Sequence, residues 1–171
     1  MRKKYPDLFV AYRRQGKVIG ICYGWPANKE RREHGTICLQ GIAVAEEFAG
    51  KEFGSQLLHF FESQVRRRGG RTITLGSAGG YVDHFYLKNG YHPVAFMICI
   101  PAERTFPPQL RKKHGVVSER IDGNLQRLYV NLTSLDNSLR DKLKDDFNAA
   151  EVVAIMDKRL ASRSQGHSKA D

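Results

Sequence analysis

The residues of this chain with the clearest chemical potential lie in one run, Ile42-Ala43-Val44-Ala45-Glu46-Glu47-Phe48-Ala49-Gly50-Lys51-Glu52-Phe53-Gly54-Ser55. The run reads as a strand end, a glycine-bearing turn and a helix start. Backbone N–H groups without intrahelical acceptors gather at a helix start, and the helix dipole favours an anion there. Gly50 and Gly54 let a ligand approach the backbone closely, and Lys51 adds positive charge. Taken alone, a strand, a glycine turn and a helix are explained as well by a plain tight turn. A mononucleotide loop would need Gly-Lys-Ser or Gly-Lys-Thr, and the run has Gly50-Lys51-Glu52 instead, which argues against an ATPase. Downstream lies a second run, Phe85-Tyr86-Leu87-Lys88-Asn89-Gly90-Tyr91. Its aromatic residues suit core packing as readily as chemistry. Cys22, Cys38 and Cys99 sit in apolar or strand-like stretches, with no CxxC and no Cys/His spacing of a zinc site. Three buried thiols and no metal are expected.

The elements that must position these runs follow from periodicity. Leu8 to Tyr12 and Lys17 to Trp25, joined by Arg13-Arg14-Gln15-Gly16, read as a hairpin. A charged loop spans Asn28 to Gly35, and Thr36 to Val44, apolar at both parities, reads as a central strand. Leu57, Phe60, Phe61 and Val65 recur at helical spacing, and Gly69-Gly70 end that helix. A strand at Arg71 to Leu75, a short helix at Tyr81 to Lys88 and a strand at His92 to Ile100 follow. Residues 102–124 read as a long connection. Leu125 to Leu132 is strand-like, Leu135, Leu139, Leu143 and Phe147 mark an amphipathic helix, and Val152 to Met156 a last strand. The expected fold class is α+β (mixed α/β): an antiparallel hairpin, then β-α-β-α-β, then a C-terminal β-α-β. A parallel pair is expected wherever a helix bridges two strands. The expected organisation is a core at 1–101, the connection, a strand-helix-strand at 125–160 packed on that core, and a flexible tail at 161–171.

With 171 residues, 41% hydrophobic and 27% charged, the composition is that of a globular domain. The longest apolar run, Val94 to Ile100, is too short for a bilayer, and no export leader opens the chain, so a cytoplasmic location and no membrane partner are expected. The net charge of +10 draws on clusters at Arg2-Lys4, Arg31-Arg32, Arg66-Arg68 and Arg111-Lys113. Such a surface attracts nucleic acid, acidic membranes or a polyanionic small molecule alike. For any single cluster, a solvated face is the ordinary explanation.

Taken together, the two runs, in this order and on these elements, resemble the GNAT (N-acetyltransferase) superfamily over residues 5 to 100. Ala49 to Ser55 is similar to its pyrophosphate loop, and Phe85 to Tyr91 to its FYxKxGF signature. The resemblance implies an acetyl-CoA-dependent N-acetyltransferase, with acetyl-CoA as cosubstrate. The family's pantetheine arm pairs with the central strand end, here Ile42, Ala43 and Val44. Its pyrophosphate rests on the loop, here Ala49, Gly50, Lys51, Glu52, Phe53, Gly54 and Ser55. An amine attacks the thioester directly in a ternary complex, a backbone N–H near Val44 meets the oxyanion, and Tyr86 protonates the departing thiolate.

The departures from the pattern are specific. Ala49 stands where the loop opens with Gln or Arg, Glu52 where it has its first glycine, and Gly79 where an asparagine is common. The family's opening strand and helices precede its hairpin, whereas here the hairpin lies close to Met1. The strand-helix-strand at 125–156 is expected to take part of their place. The general base stays open among Glu46, Glu47, His34, His84 and a water chain. The acceptor is an amine on a small molecule, a peptide or an RNA, and a homodimer fits the resemblance. The alternative is a catalytically degenerate module that holds acyl-CoA, or binds nucleic acid through its basic surface.

Overall fold

The computed structural model describes residues 4–27 and 34–161. Among them are eight strands and four α-helices, an α+β arrangement in two compact units. One unit comprises Met1–Ile73 with Arg159–Asp171, and the other Thr74–Lys158.

In the first unit, β1 (Phe9–Arg14), β2 (Lys17–Pro26) and β3 (Thr36–Val44) form an antiparallel meander. Helix α1 (Phe53–Arg67) covers one face of it, burying Leu57, Leu58, Phe61 and Val65. The close fit depends on Gly24: a Cβ there would stand 2.9 Å from Phe61 Cζ and 2.4 Å from the Cys38 carbonyl oxygen. Phe60, placed on the apolar stripe by spacing, is instead 52% exposed, and Leu58 takes its place in the core. The β2–β3 ladder slips between Tyr23 and Gly24, leaving Gln40 opposite no residue. Such a bulge bends a strand locally.

The second unit holds the end of β4 (Thr72–Ser77), α2 (Tyr81–Lys88), β5 (His92–Pro101), α3 (Pro108–Lys113), β6 (Val116–Asp122), β7 (Leu125–Asn131), α4 (Asn137–Asp146) and β8 (Glu151–Arg159). Its strand order is β4-β8-β5-β7-β6. The last strand thus inserts between β4 and β5, and β5 pairs antiparallel with both β8 and β7. For the two helix-bridged pairs of this unit, this corrects the expectation of parallel neighbours. Helix-bridged β4 and β5 are separated by β8, and helix-bridged β7 and β8 by β5. The expected connection at 102–124 contains α3 and the edge strand β6, which forms a hairpin with β7. Its charged residues suit an exposed edge.

Helix α4 begins at Asn137, two residues after Leu135, because Asp136 caps it by accepting from the Leu139 N–H at 3.0 Å. Leu143 and Phe147 are fully buried, and Phe147 lies between the rings of Phe106 and His114. Asp146 accepts from Lys113 Nζ at 2.7 Å and meets His114 Nε2 at 2.7 Å, tying the ends of α3 and α4 together. Cys22 and Cys99 are buried as expected, but Cys38 is only half-buried. Burial pushes the Cys22 thiol pKa far up, with the Glu62 carboxylate adding to it. Among the described residues, no helix is long and apolar enough to cross a membrane.

Candidate functional site

In the first unit, β3 ends at Val44, and Ala45 N–H donates to the Ile19 carbonyl at 2.8 Å, holding the chain against β2 as it leaves the sheet. A single 3-10 turn, Glu46–Phe48, follows, closed by Phe48 N–H to Ala45 O and Ala49 N–H to Glu46 O, both 2.9 Å. Gly50 then takes φ +72 and Glu52 φ +61, two left-handed residues that swing the backbone into α1. The Glu52 side chain does not cap the helix, and no acidic residue occupies its first turn. The first intrahelical bond is Gln56 N–H to Glu52 O at 3.0 Å. The N–H groups of Phe53, Gly54 and Ser55 therefore precede any i−4 acceptor and carry the positive end of the helix dipole.

Two cations flank this helix start. Lys51 donates to the Glu47 carbonyl at 2.9 Å, with its ammonium 5.8 Å from the Phe48 ring centre. Arg14, at the end of β1, lies 5.9 Å from Phe48 and 5.7 Å from Phe53, rings which themselves pack edge to face. Sequence reasoning passed over Arg14. Its signal was the Arg13-Arg14 pair in the hairpin turn, whose proximity to the helix start depends on how β1 lies beside it. The left-handed Glu52 shows why glycine suits this position: a side chain there costs about 1 kcal/mol.

The second unit carries Tyr86 on α2, 5% exposed, with edge-to-face contacts to Phe85 and Tyr91 at 5.2 and 5.6 Å. Asp83, one turn earlier, is also buried, while His84 is exposed on another side of the helix. Asp83 accepts from Ser77 Oγ at 2.6 Å and from Arg140 Nη1 at 2.7 Å. Gly79 has φ +113, and a Cβ there would stand 2.8 Å from Arg140 Nη1. An asparagine at this position would be strained at that φ and would require the Arg140 guanidinium to shift.

Of the other candidates for a base, Glu46 and Glu47 are exposed on the 3-10 turn. His34 lines a hollow of about 850 Å³ in the first unit, with Arg66, Arg71 and Arg159. No cluster of three or more potential metal ligands occurs among the described residues.

An uncapped helix start flanked by cations, at the end of an antiparallel meander in an α+β chain, is an arrangement whose backbone amides and dipole favour an anion. The chain belongs to the GNAT acetyltransferases: the family model described as "Acetyltransferase (GNAT) domain" matches residues 4–93. A search of curated proteins gives no match. Among solved structures, the chain is similar in fold to ribosomal-protein-alanine N-acetyltransferase from Brucella melitensis, at 16% identity and TM-score 0.53, covering 93% of this chain and 74% of that one. It is similar also to aminoglycoside 6'-acetyltransferase type Ii, at 17% identity and TM-score 0.50, covering 94% and 77%. An acetyltransferase from Bacillus subtilis, solved in complex with CoA, matches at 18% identity and TM-score 0.46, covering 77% and 82%.

Proposed function

We propose that this protein transfers the acetyl group of acetyl-CoA to a primary amine by direct attack in a ternary complex. The observation that carries the reading is the helix start at Phe53–Ser55, uncapped by Glu52 and flanked by Arg14 and Lys51, in a chain of the GNAT family. Its free N–H groups suit the pyrophosphate, while Ile42, Ala43 and Val44 offer strand backbone to the pantetheine amides. Ala49 contributes only backbone, and the cationic part of the family's opening Gln or Arg falls to Arg14. In the transfer, the amine nitrogen forms a bond to the thioester carbon and loses a proton to a base or water chain. The carbon–sulfur bond then breaks, and Tyr86 protonates the thiolate.

Calorimetric titration with acetyl-CoA tests this reading. Binding is expected, and Gly54→Leu is expected to weaken it about tenfold or more, because hydrogen bonds from backbone amides to a charged group contribute about 1.5–3 kcal/mol each. The hollow lined by Arg66, Arg71, Arg159 and His34 favours a second reading, a polyanion-binding module. Folded protein that gives no heat with coenzyme but binds a single-stranded oligonucleotide would replace the first reading with the second.

A further inference from the structure

Strand β1 pairs with β2 alone among the described residues, and it ends the strand order. In an antiparallel ladder alternate residues turn their N–H and C=O groups away from the partner, so an edge strand is a template for another extended chain. Natural edges are guarded by charge, proline or a bulge. Phe9-Val10-Ala11-Tyr12 carries neither charge nor proline, and the register with β2 slips only past Tyr12.

Helix α1 runs beside this edge, and a groove of about 320 Å³ lies between them. One wall is the β1 backbone at residues 10–13, and the other is Gln56, Leu57 and Phe60 of α1. Val10 and Leu57 are buried, whereas Phe60 stands 52% exposed on the wall. Tyr12 donates to Gln56 Oε1 at 3.1 Å, joining the two walls. An edge strand beside an apolar slot is the geometry by which a sheet takes an added peptide strand. The edge supplies main-chain hydrogen bonds, and the slot takes alternate side chains. The other set of side chains would pass Arg13, which lies on the face of β1 opposite Val10 and Tyr12. Arg13 is exposed, as is Lys17 on the neighbouring strand, and no ion pair among the described residues takes up either. In a chain of net charge +10, this face selects carboxylates.

We propose that the β1 edge binds an acidic, extended peptide of a partner protein as an added strand. Its apolar side chains enter the slot against Leu57 and Phe60, and its carboxylates lie on the Arg13 face. The surface stands on the first unit alone and does not rest on the acetyl-transfer reading. Fluorescence anisotropy of the full chain with a labelled peptide of three Val-Glu repeats tests it. Saturable binding with a Kd on the order of 100 μM is expected. Replacing each Glu of the peptide by Lys, or N-methylating its amides, is expected to weaken binding about tenfold or more. Phe60→Ala and Arg13→Glu are each expected to weaken it about five- to tenfold at an unchanged Tm, since both side chains are exposed. Absence of saturable binding, equal binding of the lysine or N-methylated peptide, or unchanged binding in both variants would each overturn the proposal. So would dimerisation of the chain that Phe60→Ala removes, read by sedimentation, because the groove would then belong to a second copy.

Discussion

Tyr86 lies on the buried side of α2 with Phe85 and Tyr91 against its ring, so its environment is built for an aromatic side chain whatever its hydroxyl does. Tyr86→Phe separates the two roles. It keeps the ring and its packing, and removes only the group proposed to act when the thiolate departs. On a genuine amine acceptor, kcat is expected to fall at least about tenfold, since general acids typically contribute 10²–10⁴-fold, with the acetyl-CoA Kd unchanged. Steady-state kinetics beside calorimetry would check it. An unchanged kcat would return Tyr86 to core packing and leave the proton to solvent.

At the level of the element, the turn into α1 concentrates the departures from the family pattern. Glu52 is held at φ +61, where glycine would sit without a steric penalty, and its carboxylate belongs to the residue just ahead of the helix amides. Glu52→Gly relieves about 1 kcal/mol of left-handed strain, partly offset by greater freedom of the unfolded chain. It also deletes a negative charge beside the proposed anion site, a contribution of about 0.3–1 kcal/mol. The variant is therefore expected to bind acetyl-CoA about two- to fivefold more tightly without loss of Tm, measured by calorimetry and thermal melting. Weaker binding would mean that the Glu52 carboxylate takes part in holding the ligand.

For the whole molecule, the segment from β7 to β8 decides whether the second unit exists. Deleting residues 125–156 removes both ladder partners of β5 and the filler between β4 and β5. It also removes the buried Leu143 and Phe147, at about 1.5–3 kcal/mol per side chain, against a typical total stability of about 5–15 kcal/mol. The truncation is expected to be insoluble or to melt without cooperativity, as read by circular dichroism. A soluble, cooperatively melting product would make the segment a detachable appendage.

The sequence by itself determined the local elements. Apolar residues at both parities marked Thr36 to Val44 as strand, the Asn89-Gly90 stop closed the short helix at Tyr81 to Lys88, both with the ends the structure has, and Gly50 and Gly54 marked the turn into α1. These features are legible because backbone period, chain breakers and helix ends depend on residues close in sequence. Only the tertiary structure decided the insertion of β8 between β4 and β5, the exposure of Phe60, and the meeting of Arg14 with Phe48 and Phe53. It alone brought Arg140 to the place a side chain at Gly79 would take. Each of these joins residues far apart along the chain, where burial of apolar surface and pairing of buried charge choose the partner and no local pattern records the choice.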